Sequence, residues 1–357
     1  MRDFACQCGN TLYFQNNLCL QCSRNVGYVP SALAMTAIEP IGHGRWQVPA
    51  AGQIAGREYR LCENTAIYDA CNWLVPVEDP NPLCASCRLT RTIPDLNVER
   101  HLELWRRIEA AKRHVLYSLK VLDLAIIGRD TDPSQGLAFD FLADAHADTE
   151  FTEPLAGQEP VTTGHADGLI TLNISEADDV ARARMREQMG EHYRTLLGHF
   201  RHEIGHYYWM RLVAEQPVAL ADFRRRFGDE RADYGQALTR HYEQGVPRDW
   251  STRFITPYAS AHPWEDWAES WAHYLHMRDT LETALEHDLV VRYPWQRSDN
   301  DFDAFMYQWT QLTIAVNAVN RSMGLPDAYP FALNTAARDK LAFIHDLIGA
   351  EPKTIST

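Results

Sequence analysis

Apolar residues recur at helical spacing from Asn97 to about Leu122, at Val98, Leu102, Trp105, Ile108, Val115, Leu119 and Leu122. The pattern predicts an amphipathic helix of about seven turns, capped by Asn97. From Leu137 to Leu142 the chain alternates, with Leu137, Phe139 and Phe141 set against Ala138 and Asp140, which reads as a strand. Leu169 to Ile174 reads as a second strand and runs into Ser175-Glu-Ala-Asp178, the form of a capping box. A long helix is expected from there to about Val213, with a break near Gly190. Further helices are expected at 219–227, 230–243, 263–285, 301–322 and 335–349. The fold class is α+β: a small β-rich N-terminal module over residues 1–94, then a mainly α-helical domain over residues 95–357.

Length and composition fit two, at most three, ordinary globular domains. The chain has 357 residues, 45% hydrophobic and 23% charged. Its 34 Lys+Arg and 48 Asp+Glu leave a net charge of −14. That argues against a sequence-independent nucleic-acid binder and against docking on an anionic membrane. The chain opens Met-Arg-Asp-Phe-Ala-Cys, with no apolar leader, and has no run of 18 apolar residues. A cytoplasmic location, no membrane partner and reduced cysteines are therefore expected.

All eight cysteines lie before residue 90. Cys6, Cys8, Cys19 and Cys22 form C-x-C-x10-C-x2-C, and Cys62, Cys71, Cys84 and Cys87 form C-x8-C-x12-C-x2-C. Each group closes with a C-x2-C pair, which at a tight turn supplies two thiolates to a tetrahedral zinc. Two structural zinc sites account for every cysteine, although pairs from different groups could share one metal. Residues 1–95 hold 7 Arg, no Lys and 8 Asp+Glu, so this ribbon has no basic patch for nucleic acid.

The chemistry-bearing motif lies in the long predicted helix: His199-Phe-Arg-His202-Glu203-Ile-Gly-His206. His202 and His206, at i and i+4, leave one helix face and can bind one zinc, with Glu203 beside them as general base. His199 is read as a supporting or substrate-side group. A catalytic zinc needs a third protein ligand and an open position. The segment Tyr258 to His276 supplies candidates. Pro263 begins a helix on which Trp264, Trp267, Trp271 and Tyr274 form a core stripe. Glu265, Ala268, Glu269 and Ala272 form another face, whose alanines let a second helix approach. Glu265 is the chosen third ligand, with Asp266, Glu269 and His262 as alternatives. Glu269 would orient a ligating histidine.

The spacing Glu265-x-x-Ala268-Glu269 after H-E-x-x-H resembles the glutamate zincins of the anthrax lethal factor type. That resemblance implies Glu265 as third ligand and Tyr258, seven residues earlier, as oxyanion donor. It also implies that strand 169–174 offers an edge to an extended substrate. Nearly the whole chain resembles a bacterial family of zinc-binding metallopeptidases with an N-terminal zinc ribbon. The shared residues are Cys6-Gln-Cys-Gly9, Tyr13-Phe14, Ala70-Cys-Asn-Trp-Leu-Val75, Cys84-Ala-Ser-Cys-Arg-Leu-Thr-Arg-Thr-Ile-Pro94, Gly168 to Ile174, Glu176-Ala-Asp178, Leu197 to Trp209 and Asn320-Arg-Ser-Met-Gly324. The expected function is zinc-dependent hydrolysis of peptide or amide bonds in a peptide or protein substrate, with one catalytic and two structural zincs. The competing expectation is a zinc-stabilised adaptor with a vestigial active site.

Overall fold

The computed structural model describes residues 2–49, 54–144, 161, 163–183, 195–290 and 301–351. They pack as two compact units that part between Phe200 and Arg201.

The first unit begins with a short antiparallel ribbon, β1 (Phe4–Ala5) on β2 (Thr11–Leu12). Strands β3 (Asn25–Val29), β4 (Ala34–Gly42), β5 (Arg45–Gln47), β6 (Glu58–Leu61) and β7 (Leu74–Pro76) form an antiparallel meander in chain order. Its core is Val29, Ile38, Val48, Tyr59 and Leu74. Gly27 of β3 is small because it must be: a Cβ there would stand 2.6 Å from the Leu74 side chain. Helix α1 (Glu63–Tyr68) links β6 to β7.

A second sheet, in the order β10-β11-β9-β8, joins the end of the cysteine-rich segment to the cysteine-free chain beyond it. Its strands are β8 (Thr90–Thr92), β9 (Ala138–Leu142), β10 (Gly164–Ala166) and β11 (Leu169–Asn173). β8 runs parallel to β9, and the 21-residue helix α2 (His101–Val121) makes the crossover that parallel pairing requires. Helix α2 buries Trp105, Ile108, Val115 and Leu119 of the face its periodicity predicts, and Leu104 and Leu116 besides, while Leu102 is only half-buried.

Several local expectations fail for identifiable reasons. Helix α2 starts at His101, after Arg100 at φ 68°, not at Asn97. Asn97 instead turns back on Asp95, to which it donates from both its amide and its side chain. Ser175 caps no helix: Ile174–Ala177 is a 3-10 turn, and Asp178 accepts from the amides of Val180 and Ala181. β11 is not an edge, because β10 flanks it on one side and β9 on the other. Of the helix expected up to Val213, residues 179–183 are helical and 184–194 lie outside the described residues. Helix α3 (Leu196–Trp209) then ends in one π-helical turn, Met210–Ala214.

The second unit is helical: the C-terminal part of α3, then α4 (Pro217–Phe227), α5 (Tyr234–Gln244), α6 (Pro263–Glu286), α7 (Phe302–Ser322) and α8 (Thr335–Ala350). Pro217 and Pro263 sit in the first turns of α4 and α6, where a missing N–H costs nothing. Helix α6 is the axis of this unit, burying Trp267, Trp271, Tyr274, Leu275, Met277 and Leu281. It crosses α3 at a small-residue contact, where a Cβ on Gly205 would come 3.1 Å from Ala268 Cα. Trp267 donates its indole N–H to Gly205 O across the same crossing, at 2.8 Å.

Candidate functional site

The helical period puts His202 and His206 on the face of α3 that meets α6, and the first turn of α6 carries Glu265 between them. His202 Nε2 lies 3.0 Å from Glu265 Oε2, and His206 Nε2 lies 3.7 Å from Glu265 Oε1. One ligand atom from each of the three residues falls within 4.8 Å of the others. Donors about 2.1 Å from a tetrahedral centre stand about 3.4 Å apart, so the spacing suits one small cation. A second observation points the same way: Glu265 Oε2 is buried with no well-aligned donor, and the group that faces it is His202 Nε2. A buried carboxylate oxygen without a donor is costly unless a cation or proton meets it.

The supporting contacts fix His202. Its Nδ1 lies 2.7 Å from Glu269 Oε1. An ionised carboxylate only accepts, so Nδ1 carries a proton, and Nε2 is the nitrogen left to face Glu265 and a cation. Glu269 is held in turn by Thr256 Oγ1, which donates to Oε2 at 2.7 Å. Electrostatics agree. Burial alone would depress the His202 pKa, but Glu265 and Glu269 outweigh it and hold it well above the usual value. Burial likewise opposes ionisation of Glu265, yet the imidazoles of His206 and His202 and the Tyr234 hydroxyl bring its pKa down to about 2. The His206 pKa is lowered by burial. Two carboxylates thus concentrate negative charge at a pair of imidazoles, the field a cation requires.

The other candidates for third ligand are engaged elsewhere. Asp266 pairs with Lys340 at 2.6 Å. His262 accepts from the Trp264 amide through Nδ1 and meets Ala232 O through Nε2, so it clamps a helix start. Glu203 is buried beside His202. Tyr258 opens a 3-10 turn, its ring 6.0 Å from the His202 ring. Burial pushes its hydroxyl far above the usual range, so it is a neutral donor. His199 lies against Glu176, Nδ1 to Oε2 at 3.5 Å. Tyr234, which no motif marks, donates to Glu265 Oε1 at 2.8 Å.

The cysteines assemble group by group. Cys6, Cys8, Cys19 and Cys22 form one cluster, and Cys62, Cys71, Cys84 and Cys87 another. Sulfur separations are 3.7 Å for Cys6–Cys22, 3.6 Å for Cys8–Cys19 and 3.6 Å for Cys71–Cys84. Thiolates about 2.3 Å from a tetrahedral zinc stand about 3.8 Å apart, so both sets fit the ion. Backbone amides point at the sulfurs, as in Cys84 N to Cys62 Sγ at 3.3 Å and Cys87 N to Cys84 Sγ at 3.4 Å. The Cys22 amide helps hold the Cys19 thiol near pKa 6, while burial pushes Cys6 up to about 12. All four residues of the second cluster are buried, whereas Cys8 of the first is exposed.

A family model described as "Putative zinc-binding metallo-peptidase" matches residues 101–347. The chain belongs to this family. The match spans α2 to α8 and contains the whole His202–His206–Glu265 cluster. A second model, described as a zinc-ribbon domain, matches residues 3–98 and contains both cysteine clusters. Uncharacterized proteins of Mycobacterium tuberculosis and Mycobacterium bovis are 42% identical over 353 residues, covering 98% of this chain and 95% of theirs. No solved structure matches the metallopeptidase. Among its described residues, no helix is long and apolar enough to cross a membrane.

Proposed function

We propose that this metallopeptidase hydrolyses peptide or amide bonds at the His202–His206–Glu265 cluster. The observation that carries the reading is Glu265 Oε2, a buried carboxylate oxygen with no well-aligned donor, set against the Nε2 of an oriented His202. When bound, zinc supplies Lewis acidity, lowering the pKa of a water and polarising the scissile carbonyl. His202, His206 and Glu265 hold it. Glu203 takes the proton from the attacking water and delivers it to the leaving amine. Tyr258, a neutral phenol beside His202, donates to the developing oxyanion. Glu269 and Thr256 hold His202 in the tautomer that leaves Nε2 free. The cysteine clusters hold two further, structural zincs. The substrate is a peptide or protein, and the acidic surface disfavours nucleic acid and anionic membranes.

Metal content and cleavage test this together. Three zincs per chain are expected, of which one is labile to chelator and absent in His202→Ala. Glu203→Gln keeps all three and loses cleavage of a peptide library followed by mass spectrometry. Two zincs per chain, unchanged by His202→Ala, would sink the proposal. So would undiminished cleavage by Glu203→Gln.

A further inference from the structure

We propose that Tyr234 is a positioning residue for the site: its phenol occupies one oxygen of Glu265, so that the carboxylate offers only the other to the metal. The inference rests on the peptidase reading above and adds a residue to it. Tyr234 OH donates to Glu265 Oε1 at 2.8 Å, while Oε2 is buried and faces the metal-side nitrogen of His202 at 3.0 Å. The two oxygens of one side chain are therefore unequal before any ligand arrives.

Tyr234 is half-exposed and is held by its contacts rather than by its helix's packing. It is the first residue of α5, which has no buried residue of its own. Asp233 caps that helix, accepting from Gln236 N at 2.9 Å. The Tyr234 ring packs edge-on against His262, with centroids 5.2 Å apart, and lies 6.1 Å from Trp264. His262 closes the arrangement. Its Nδ1 accepts from the Trp264 amide at 3.1 Å, so its Nε2 carries the proton and donates to Ala232 O at 3.1 Å. One imidazole thus ties the first turn of α6, which bears Glu265, to the segment that bears Tyr234.

The consequence is chemical. A carboxylate can bind a cation through one oxygen or both. Binding through both would fill the position that a catalytic zinc keeps open for water. A phenol hydrogen-bonded to Oε1 weakens that oxygen as a donor and favours one-oxygen binding.

Tyr234→Phe deletes the hydroxyl and keeps the ring against His262 and Trp264. In the full chain, the two cysteine sites are left zinc-filled and the chelator-labile site is reloaded with cobalt(II). The visible bands of cobalt are intense in four-coordinate sites and weak at higher coordination, so they count ligands directly. The variant is expected to bind cobalt at least as tightly, with a band weakened severalfold. Its kcat for a fluorogenic peptide drawn from the cleavage library is expected to fall about 10- to 100-fold. KM should stay within about two-fold, since ground-state substrate contacts are untouched. Labile cobalt with an unchanged band and unchanged kcat overturns the role of Tyr234 and leaves the peptidase reading standing. Loosened cobalt with an unchanged band makes Tyr234 a packing residue and overturns it too. No labile metal in the wild-type chain overturns both.

Discussion

Gly205 and Trp267 lock together the two helices of the candidate site: the indole N–H reaches Gly205 O at 2.8 Å, one residue from His206. A Cβ on Gly205 would meet Ala268 Cα at 3.1 Å and Trp271 Cβ at 3.2 Å. Both distances are tight, and one neighbour is main chain. Gly205→Val is therefore expected to push α3 and α6 apart, costing about 1–3 kcal/mol by overpacking. Because His206 and Glu265 flank the crossing, the labile metal should weaken as well. Thermal melting and chelator competition on the same variant check this. Wild-type values for both would show that the crossing does not set the site.

The Glu269 carboxylate links His202 to Thr256. Glu269→Gln keeps the shape but offers a weaker, neutral partner to Nδ1. A loss of about 10- to 100-fold in labile-metal affinity or activity is expected. Thr256→Val should show the same direction with a smaller effect, because it acts through Glu269. Metal affinity by competition with a chromophoric chelator ranks the pair. An effect of Thr256→Val larger than that of Glu269→Gln would contradict the order of the chain.

Acid should destabilise the fold through buried neutral histidines. Burial holds His273 near pKa 4, His276 near 3 and His345 near 4, below the ordinary value of 6.5. Each is a base kept neutral in the fold. Below pH 6.5 the unfolded chain takes up protons that the folded chain refuses. Stability is therefore intact above about pH 6.5 and falls as pH drops toward about 4. Melting temperatures from pH 8 to 4 test this, and His345→Gln should flatten part of the slope.

The two cysteine clusters should differ under chelation. The second is wholly buried and lies against α2, with Cys87 Sγ 4.0 Å from Glu109 Oε2. The first exposes Cys8. Under chelation harsh enough to reach the cysteine sites, the first should be stripped well before the second. Cys84→Ala should lower the melting temperature more than Cys8→Ala, because a buried structural metal contributes directly to folding free energy. Time-resolved zinc release with a colorimetric chelator reads the order, and simultaneous release from both sites would count against it.

The gathering of His202, His206 and Glu265 was legible from the faces of two helices. His202 and His206 share a face by spacing, and the alanine-lined face of α6 announced a close neighbour for Glu265. The cysteine knuckles were legible in the two C-x2-C pairs, but the sequence left open whether pairs of different groups share a metal, and only the fold gathers them group by group. Tyr234 and Thr256 were not legible. They reach the site from outside the two ligand helices, where no period constrains a side chain and only tertiary packing brings it home. The capping errors at Asn97 and Ser175 share one cause: a nearby Asp or Asn competed for the same amides. Composition and packing also divide the chain at different points. Cysteines stop at residue 87, but β8, α2 and β9 continue the same compact unit to Phe200.

That continuity limits how the chain can be cut. β8 lies at the end of the cysteine-rich segment yet pairs directly with β9, and the fully buried Lys112 of α2 meets Thr90 of β8 and Glu109 of its own helix. A chain begun at residue 95 would keep β9, with Phe139 and Phe141, but lose the strand beside it and the hydroxyl that helps satisfy Lys112. It would display a bare strand edge over an apolar face, the template on which strands from other molecules stack. Trimming to the catalytic half should therefore yield sticky, insoluble material rather than a minimal enzyme. Proteolytic loss of the cysteine-rich segment is expected to unmake the sheet around β9 rather than to release a working fragment.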